Sequence, residues 1–140
     1  MIRIVEGHTN KALSVMYTAS AAMKRGAFVT ISEDDKTVAP ATGATKFMVD
    51  VAPNSDGINA IVTPTDDSFE DITVGDRVIV VPVLDGEKYA TTELTVGEAA
   101  VGAKMAATAG KLIAATTGDW IYCGTYSDPT GLAMYTVKRA

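Results

Sequence analysis

The sequence is poor in the residues that many enzymes and metal sites use. Its 140 residues include one cysteine, Cys123, and one histidine, His8. A single cysteine cannot form an intrachain disulfide, and a structural zinc site needs several Cys or His ligands. We therefore expect neither a disulfide nor a metal centre, and we interpret Cys123 as a small buried apolar side chain.

Basic runs and long apolar runs are missing as well. The net charge is −5, whereas affinity for nucleic acid depends on clustered Lys and Arg residues that neutralise phosphates. No stretch reaches the roughly 18–20 apolar residues of a membrane helix, and the first residues lack the apolar core of a signal peptide. We expect the protein to bind no nucleic acid and to insert into no membrane. We expect it to be synthesised in the cytoplasm.

Leucine, the main core residue of most helical proteins, is scarce: the chain has 5 Leu against 24 Val plus Ile, with 18 Thr. β-branched side chains fit a pleated surface but lose rotamer freedom in a helix. Short apolar runs separated by Gly, Pro, Asn or Asp recur about every 8–14 residues, a spacing typical of sandwiches and small barrels. We expect an all-β fold, a small β-barrel or β-sandwich of short antiparallel strands.

Two turn sequences predict tight hairpins. Asp85-Gly86 separates the predicted strand over 77–83 from the strand that follows, and Ala109-Gly110 lies between two further apolar runs. Small residues that tolerate a positive φ favour two-residue hairpin turns. We divide the chain into residues 1–23, an N-terminal arm and first strand, and residues 24–140, a single β-rich domain.

No catalytic or cofactor motif is present. The glycines match no nucleotide-binding loop, and the serines lie in no nucleophile elbow. The carboxylate pairs Asp34/Asp35, Asp66/Asp67 and Glu70/Asp71 lie in predicted turns without calcium-loop spacing. We interpret them as solvated turn residues, with weak calcium binding over 66–71 left open. We expect no enzymatic activity, no catalytic residue and no cofactor.

Four aromatic residues cluster near the C-terminus, namely Trp120, Tyr122, Tyr126 and Tyr135, and the first three are the candidate interface residues. On a strand, Trp120 and Tyr122 share a face. Two interpretations remain open: ordinary core packing, and an aromatic row that stacks on sugars or anchors a protein interface.

Several turn-and-strand segments give the chain a resemblance to a known family. They are Lys24-Arg25-Gly26-Ala27-Phe28-Val29, Gly75-Asp76-Arg77 through Asp85-Gly86-Glu87-Lys88-Tyr89, Val101-Gly102-Ala103-Lys104-Met105, Ala109-Gly110-Lys111-Leu112 and Gly118-Asp119. In this order they resemble the capsid decoration, or cement, proteins of tailed bacteriophages.

The resemblance implies a β-tulip-like module with an extended N-terminal arm, bound to the outside of the virion and made in the host cytoplasm. Such proteins stabilise the shell, commonly as homotrimers, by binding the major capsid protein. Ile2, Arg3, Ile4 and Val5 are the residues that the resemblance places in the capsid-binding arm, where they would add a strand to an exposed sheet edge.

Two other functions remain open from the sequence. A carbohydrate- or receptor-binding β module would use the aromatic residues near the C-terminus. Another virion component, such as a tail-tube protein, would share the same composition. Tube proteins form rings or stacks, and this behaviour distinguishes them from a cement protein.

Overall fold

The chain is built from β-strands. The computed structural model describes residues 1–7, 14–51 and 70–140. These residues form thirteen strands and no helix, which confirms the all-β prediction. The strands are β1 (Ile2–Glu6), β2 (Ser14–Ala19), β3 (Met23–Lys24), β4 (Phe28–Ser32), β5 (Thr37–Pro40), β6 (Phe47–Val51), β7 (Asp71–Ile72), β8 (Arg77–Pro82), β9 (Lys88–Thr91), β10 (Lys104–Thr108), β11 (Lys111–Ala114), β12 (Trp120–Ser127) and β13 (Ala133–Arg139). No helix in these ranges is long and apolar enough to cross a membrane.

Five strands close a small barrel in the order β2-β5-β4-β6-β8. Four of the five neighbouring pairs are antiparallel, and β2 pairs with β5 in parallel, with Thr18 opposite Thr37. A ring with an odd number of strands cannot alternate direction all the way round, so one parallel pair is required. The predicted antiparallel arrangement therefore holds everywhere in the barrel except at this closure.

The other large unit is a six-stranded antiparallel sheet in the order β1-β9-β13-β12-β10-β11. Its longest pairing joins β12 to β13 and contains a bulge between Tyr122 and Gly124. The predicted Ala109-Gly110 hairpin is confirmed, because it joins the paired strands β10 and β11. Both turn residues have positive φ, 50° and 86°, as a tight hairpin turn requires.

The second predicted hairpin is wrong. Asp85-Gly86 does form a turn, in which Gly86 has a φ of 87°. The strands on either side nevertheless belong to different units, β8 to the barrel and β9 to the six-stranded sheet. The backbone N–H of Gly86 donates to the carbonyl of Arg139 at 2.8 Å. The turn therefore leads the chain from the barrel to the six-stranded sheet, because β8 and β9 each pair more extensively with other strands.

One apolar core joins the two units. The barrel contributes Phe28 and Met48, the sheet contributes Trp120 and Val137, and all four are at most 1% exposed. The Trp120 ring lies edge-on to Phe28 with centroids 4.9 Å apart. Its indole N–H donates to the carbonyl of Thr45, next to the barrel strand β6, at 3.1 Å. Trp120 therefore fixes the sheet against the barrel, while a second core fills the barrel interior.

Gly118 allows the close approach of chain segments at the start of β12. A Cβ added there would lie 2.0 Å from the carbonyl oxygen of Met105. We expect Gly118→Ala to lower the free energy of unfolding by about 3 kcal/mol, because backbone at this contact must shift. The measurement is urea unfolding followed by Trp120 fluorescence.

The matched control is Gly97→Ala, where a Cβ meets open space and φ is +56°. Its expected cost is about 1 kcal/mol, the penalty of the left-handed backbone alone. Equal destabilisation by the two substitutions would contradict the packing role given to Gly118.

Candidate interaction surface

The N-terminal residues form an edge strand of the chain's own sheet. β1 pairs with β9, with Ile2 opposite Thr91, Arg3 opposite Ala90 and Ile4 opposite Tyr89. Ile2 is 7% exposed and belongs to the shared core, whereas Ile4 is 53% and Val5 is 39% exposed.

This pairing lies within the chain's own sheet, whereas the predicted arm would add a strand to the sheet of another chain, so the capsid-binding role of these residues stays a prediction. One edge of β1 is already hydrogen-bonded to β9, because β9 offers the apolar partners that bury Ile2. Of the four residues predicted to bind a capsid, Ile2 is buried, Ile4 and Val5 are exposed apolar side chains, and Arg3 forms an ion pair with Asp128.

Arg3 ties this strand to the turn between β12 and β13. Its guanidinium Nε donates to Asp128 Oδ1 at 3.0 Å, and the backbone N–H of Thr130 donates to Asp128 Oδ2 at 3.0 Å. The Thr130 hydroxyl donates to the same carboxylate. Hydrogen bonds from Thr130, followed by those from Arg3, hold the pKa of Asp128 well below its ordinary value of 3.8, at about 2.

Met1 is also buried, on the outer side of β9 together with Ala90 and Met134. Its amino group donates to the Thr92 hydroxyl at 2.8 Å and forms an ion pair with Glu70. Burial lowers the pKa of this amino group, and the Glu70 carboxylate opposes the shift. These contacts connect β1 to the segment before β7.

The aromatic residues do not form a surface row. Trp120 is 1% and Tyr122 is 5% exposed, and both lie in the shared core. The core-packing interpretation therefore holds for these two, because their side of β12 faces the barrel. Tyr126 lies beyond the bulge on the opposite side of the sheet and packs against the cluster of Met1, Ala90 and Met134. No continuous aromatic platform connects the three rings.

Cys123 differs from its predicted place in the core. It lies in the bulge of β12 and is half-buried, with its thiol donating to the Ile121 carbonyl at 3.5 Å. The bulge removes it from the regular inward alternation of the strand.

A cleft of about 150 Å³ lies where the barrel meets the β10–β11 hairpin. Its charged lining consists of Lys24, Glu93 and Lys111, and the other lining residues are Ala22, Met23, Ala27, Pro40, Ala109 and Gly110. Glu93 lies 3.9 Å from the Lys111 ammonium, and burial raises the pKa of its carboxyl group. Lys24 pairs with Asp71. Two of the charged lining residues, Glu93 and Lys111, thus pair with each other, and Lys24 pairs with a residue outside the cleft.

The predicted turn carboxylates do not gather around a metal position in the described residues. Glu70 contacts the Met1 amino group, and Asp71 contacts Lys24. Within the described ranges no three Cys, His, Asp or Glu residues are placed to hold a metal ion. His8, Asp66 and Asp67 lie outside the described residues.

The outer face of the six-stranded sheet carries a transverse row that the sequence analysis missed. Lys88 lies opposite Lys138, Lys138 lies opposite Ile121, and Ile121 lies opposite Lys104. Their neighbours Tyr89, Val137, Trp120 and Met105 point into the core. Alternation alone predicts that each lysine points outward, but only the strand order shows that they align.

No family model, no curated protein and no solved structure matches this chain.

The ion pair between Arg3 and Asp128 predicts that the free energy of unfolding changes with pH in the acid range. Folding lowers the pKa of Asp128, so as the pH falls the carboxylate becomes protonated in the unfolded chain before it does in the folded protein. The stabilisation by this carboxylate is therefore lost between about pH 4 and pH 2. We expect Asp128→Asn to be less stable than the wild type at neutral pH, and the difference to narrow across this window. Chemical unfolding at several pH values measures it.

The control is Asp34→Asn, in the exposed turn between β4 and β5. It should follow the wild-type stability at every pH tested. A difference between Asp128→Asn and the wild type that stays constant with pH would contradict the role given to the carboxylate.

Proposed function

We propose that this protein is a non-enzymatic decoration protein, which binds the major capsid protein on the outside of a bacteriophage shell and stabilises it. The proposal includes a homo-oligomer, with a trimer favoured, on the virion surface. The protein would stabilise the shell by burying surface against neighbouring chains.

The observation that carries the proposal is the number of large apolar side chains left in solvent. Val101 is 71%, Met16 68% and Val74 67% exposed, and five others exceed one third: Ile4, Val5, Leu84, Ile113 and Leu132. They lie on the barrel, the sheet and the connecting turns rather than in one groove. A subunit of an oligomer on a shell has neighbours on several sides, and these neighbours would cover apolar side chains that are dispersed in this way.

The turns that underlie the family resemblance give further support. Gly75-Asp76 precedes β8, where the Asp76 carboxylate accepts from the Thr73 N–H at 2.9 Å. Ala109-Gly110 and Gly118-Asp119 flank the β11 edge of the six-stranded sheet. These turns of the resembling segments lie directly beside the strands and help to set the strand positions.

Weak individual contacts are sufficient for this function. When one copy of an oligomer has bound a symmetric shell, the next contact forms at a high effective concentration. Trimer formation would also cover part of the exposed apolar surface.

A sugar-binding function receives less support. Stacking on a sugar ring needs an exposed aromatic face, and Trp120 and Tyr122 are buried. A tail-tube function would show itself as rings or stacks of purified protein in electron microscopy.

The test is co-sedimentation of the purified protein with mature and immature shells of the phage that encodes it, with bound copies counted. We expect saturable binding to mature shells at a whole number of copies per capsomer, because symmetric sites are equivalent.

A control protein of similar size and charge that has no affinity for the shell shows how much protein is trapped in the pellet without binding. Failure to bind either form of shell above this background would overturn the proposed function. Sedimentation velocity of the free protein tests the trimer separately.

A further inference from the structure

The outer face of the six-stranded sheet carries three lysines in register. Lys88, Lys138 and Lys104 lie in one row across β9, β13, β12 and β10, with Ile121 between the last two. Adjacent strands lie about 4.8 Å apart, so the row extends about 14 Å across the sheet. We call these four residues the lysine face.

The residues that the structure describes compensate little of the positive charge of this face. Lys88 is 3.4 Å from Glu6 in a partly exposed ion pair. For Lys104 and Lys138, the parts of the chain that the structure describes place no carboxylate within 4.0 Å. This local positive charge stands out on a chain of net charge −5.

The arrangement carries a cost that a partner would remove. Lys88 and Lys138 are directly opposite in the antiparallel pair β9–β13, and like charges in such pairs are destabilising. Carboxylates of an acidic partner would attract both ammonium groups and so offset this repulsion.

Apolar groups border the row. Ile121 lies within it, Ile113 is 38% exposed on β11, and Val101 is 71% exposed. The Val101 side chain lies 3.8 Å from the position that a Cβ of Gly124 would occupy, so it borders the same outer face. Apolar surface combined with a charged rim is typical of protein interfaces.

We propose that the lysine face docks on an acidic protein surface. Under the proposed function, on which this part of the inference rests, the acidic surface is the outside of the capsid, and the barrel points away from the shell. A nucleic acid fits less well, because three lysines on a net-acidic chain neutralise few phosphates.

The test compares two double variants with equal changes in net charge. Lys104→Gln/Lys138→Gln removes two charges from the lysine face. Lys36→Gln/Lys46→Gln removes two exposed charges from the barrel side, on the β4–β5 turn and just before β6. We expect the first to bind shells about tenfold more weakly, and its binding to depend less on salt, because charge pairs across an interface are lost. The control should bind as the wild type does.

Shell binding that is equal in all three proteins would overturn the inference while leaving the proposed function intact. If the wild type does not bind shells, the proposed function fails, and the lysine face is tested on polyglutamate. There we expect the wild type and the control to elute from a polyglutamate column at higher salt than Lys104→Gln/Lys138→Gln.

Equal elution of all three proteins in that case would overturn the inference. The remaining comparison uses a column of duplex DNA whose negative charge matches that of the polyglutamate column. Stronger retention by DNA than by polyglutamate, abolished by the same two substitutions, would also overturn it, since the partner would then be a nucleic acid.

Discussion

The contact of Trp120 with the barrel determines how the rest of the molecule is arranged. Its ring packs against Phe28 and its N–H donates to the Thr45 carbonyl, so one side chain binds the sheet to two barrel segments. Arg139, opposite Trp120 on β13, donates to the same carbonyl at 2.6 Å. Because burial of a large aromatic side chain contributes several kcal/mol, this contact fixes which face of the sheet is inside.

Once that face is buried, the opposite face is available for other contacts. Strand alternation sends Lys88, Lys104, Ile121 and Lys138 outward whenever their neighbours point into the core. Part of the outer face is covered by Met1, Met134 and Tyr126 near the β12–β13 turn. The remainder includes the lysine face, so the internal core and the proposed docking surface result from one constraint.

The sequence was sufficient for the parts of the fold that depend on local patterns. β-branched composition, alternation and the Ala109-Gly110 turn predicted the strands and one hairpin. Pairing between distant segments was not predictable in the same way. Asp85-Gly86 has the same local signal, yet its strands separate because longer-range partners bind them more extensively. The burial of Trp120 and the alignment of the three lysines depend likewise on strand order, which no local pattern contains.

The most direct test of this account is electron cryo-microscopy of decorated shells, at a resolution that distinguishes the sheet from the barrel. We expect density on the outer shell surface with the lysine face against acidic residues of the major capsid protein and the barrel pointing outward. Density in which the barrel contacts the shell while the lysine face lies in solvent would contradict it.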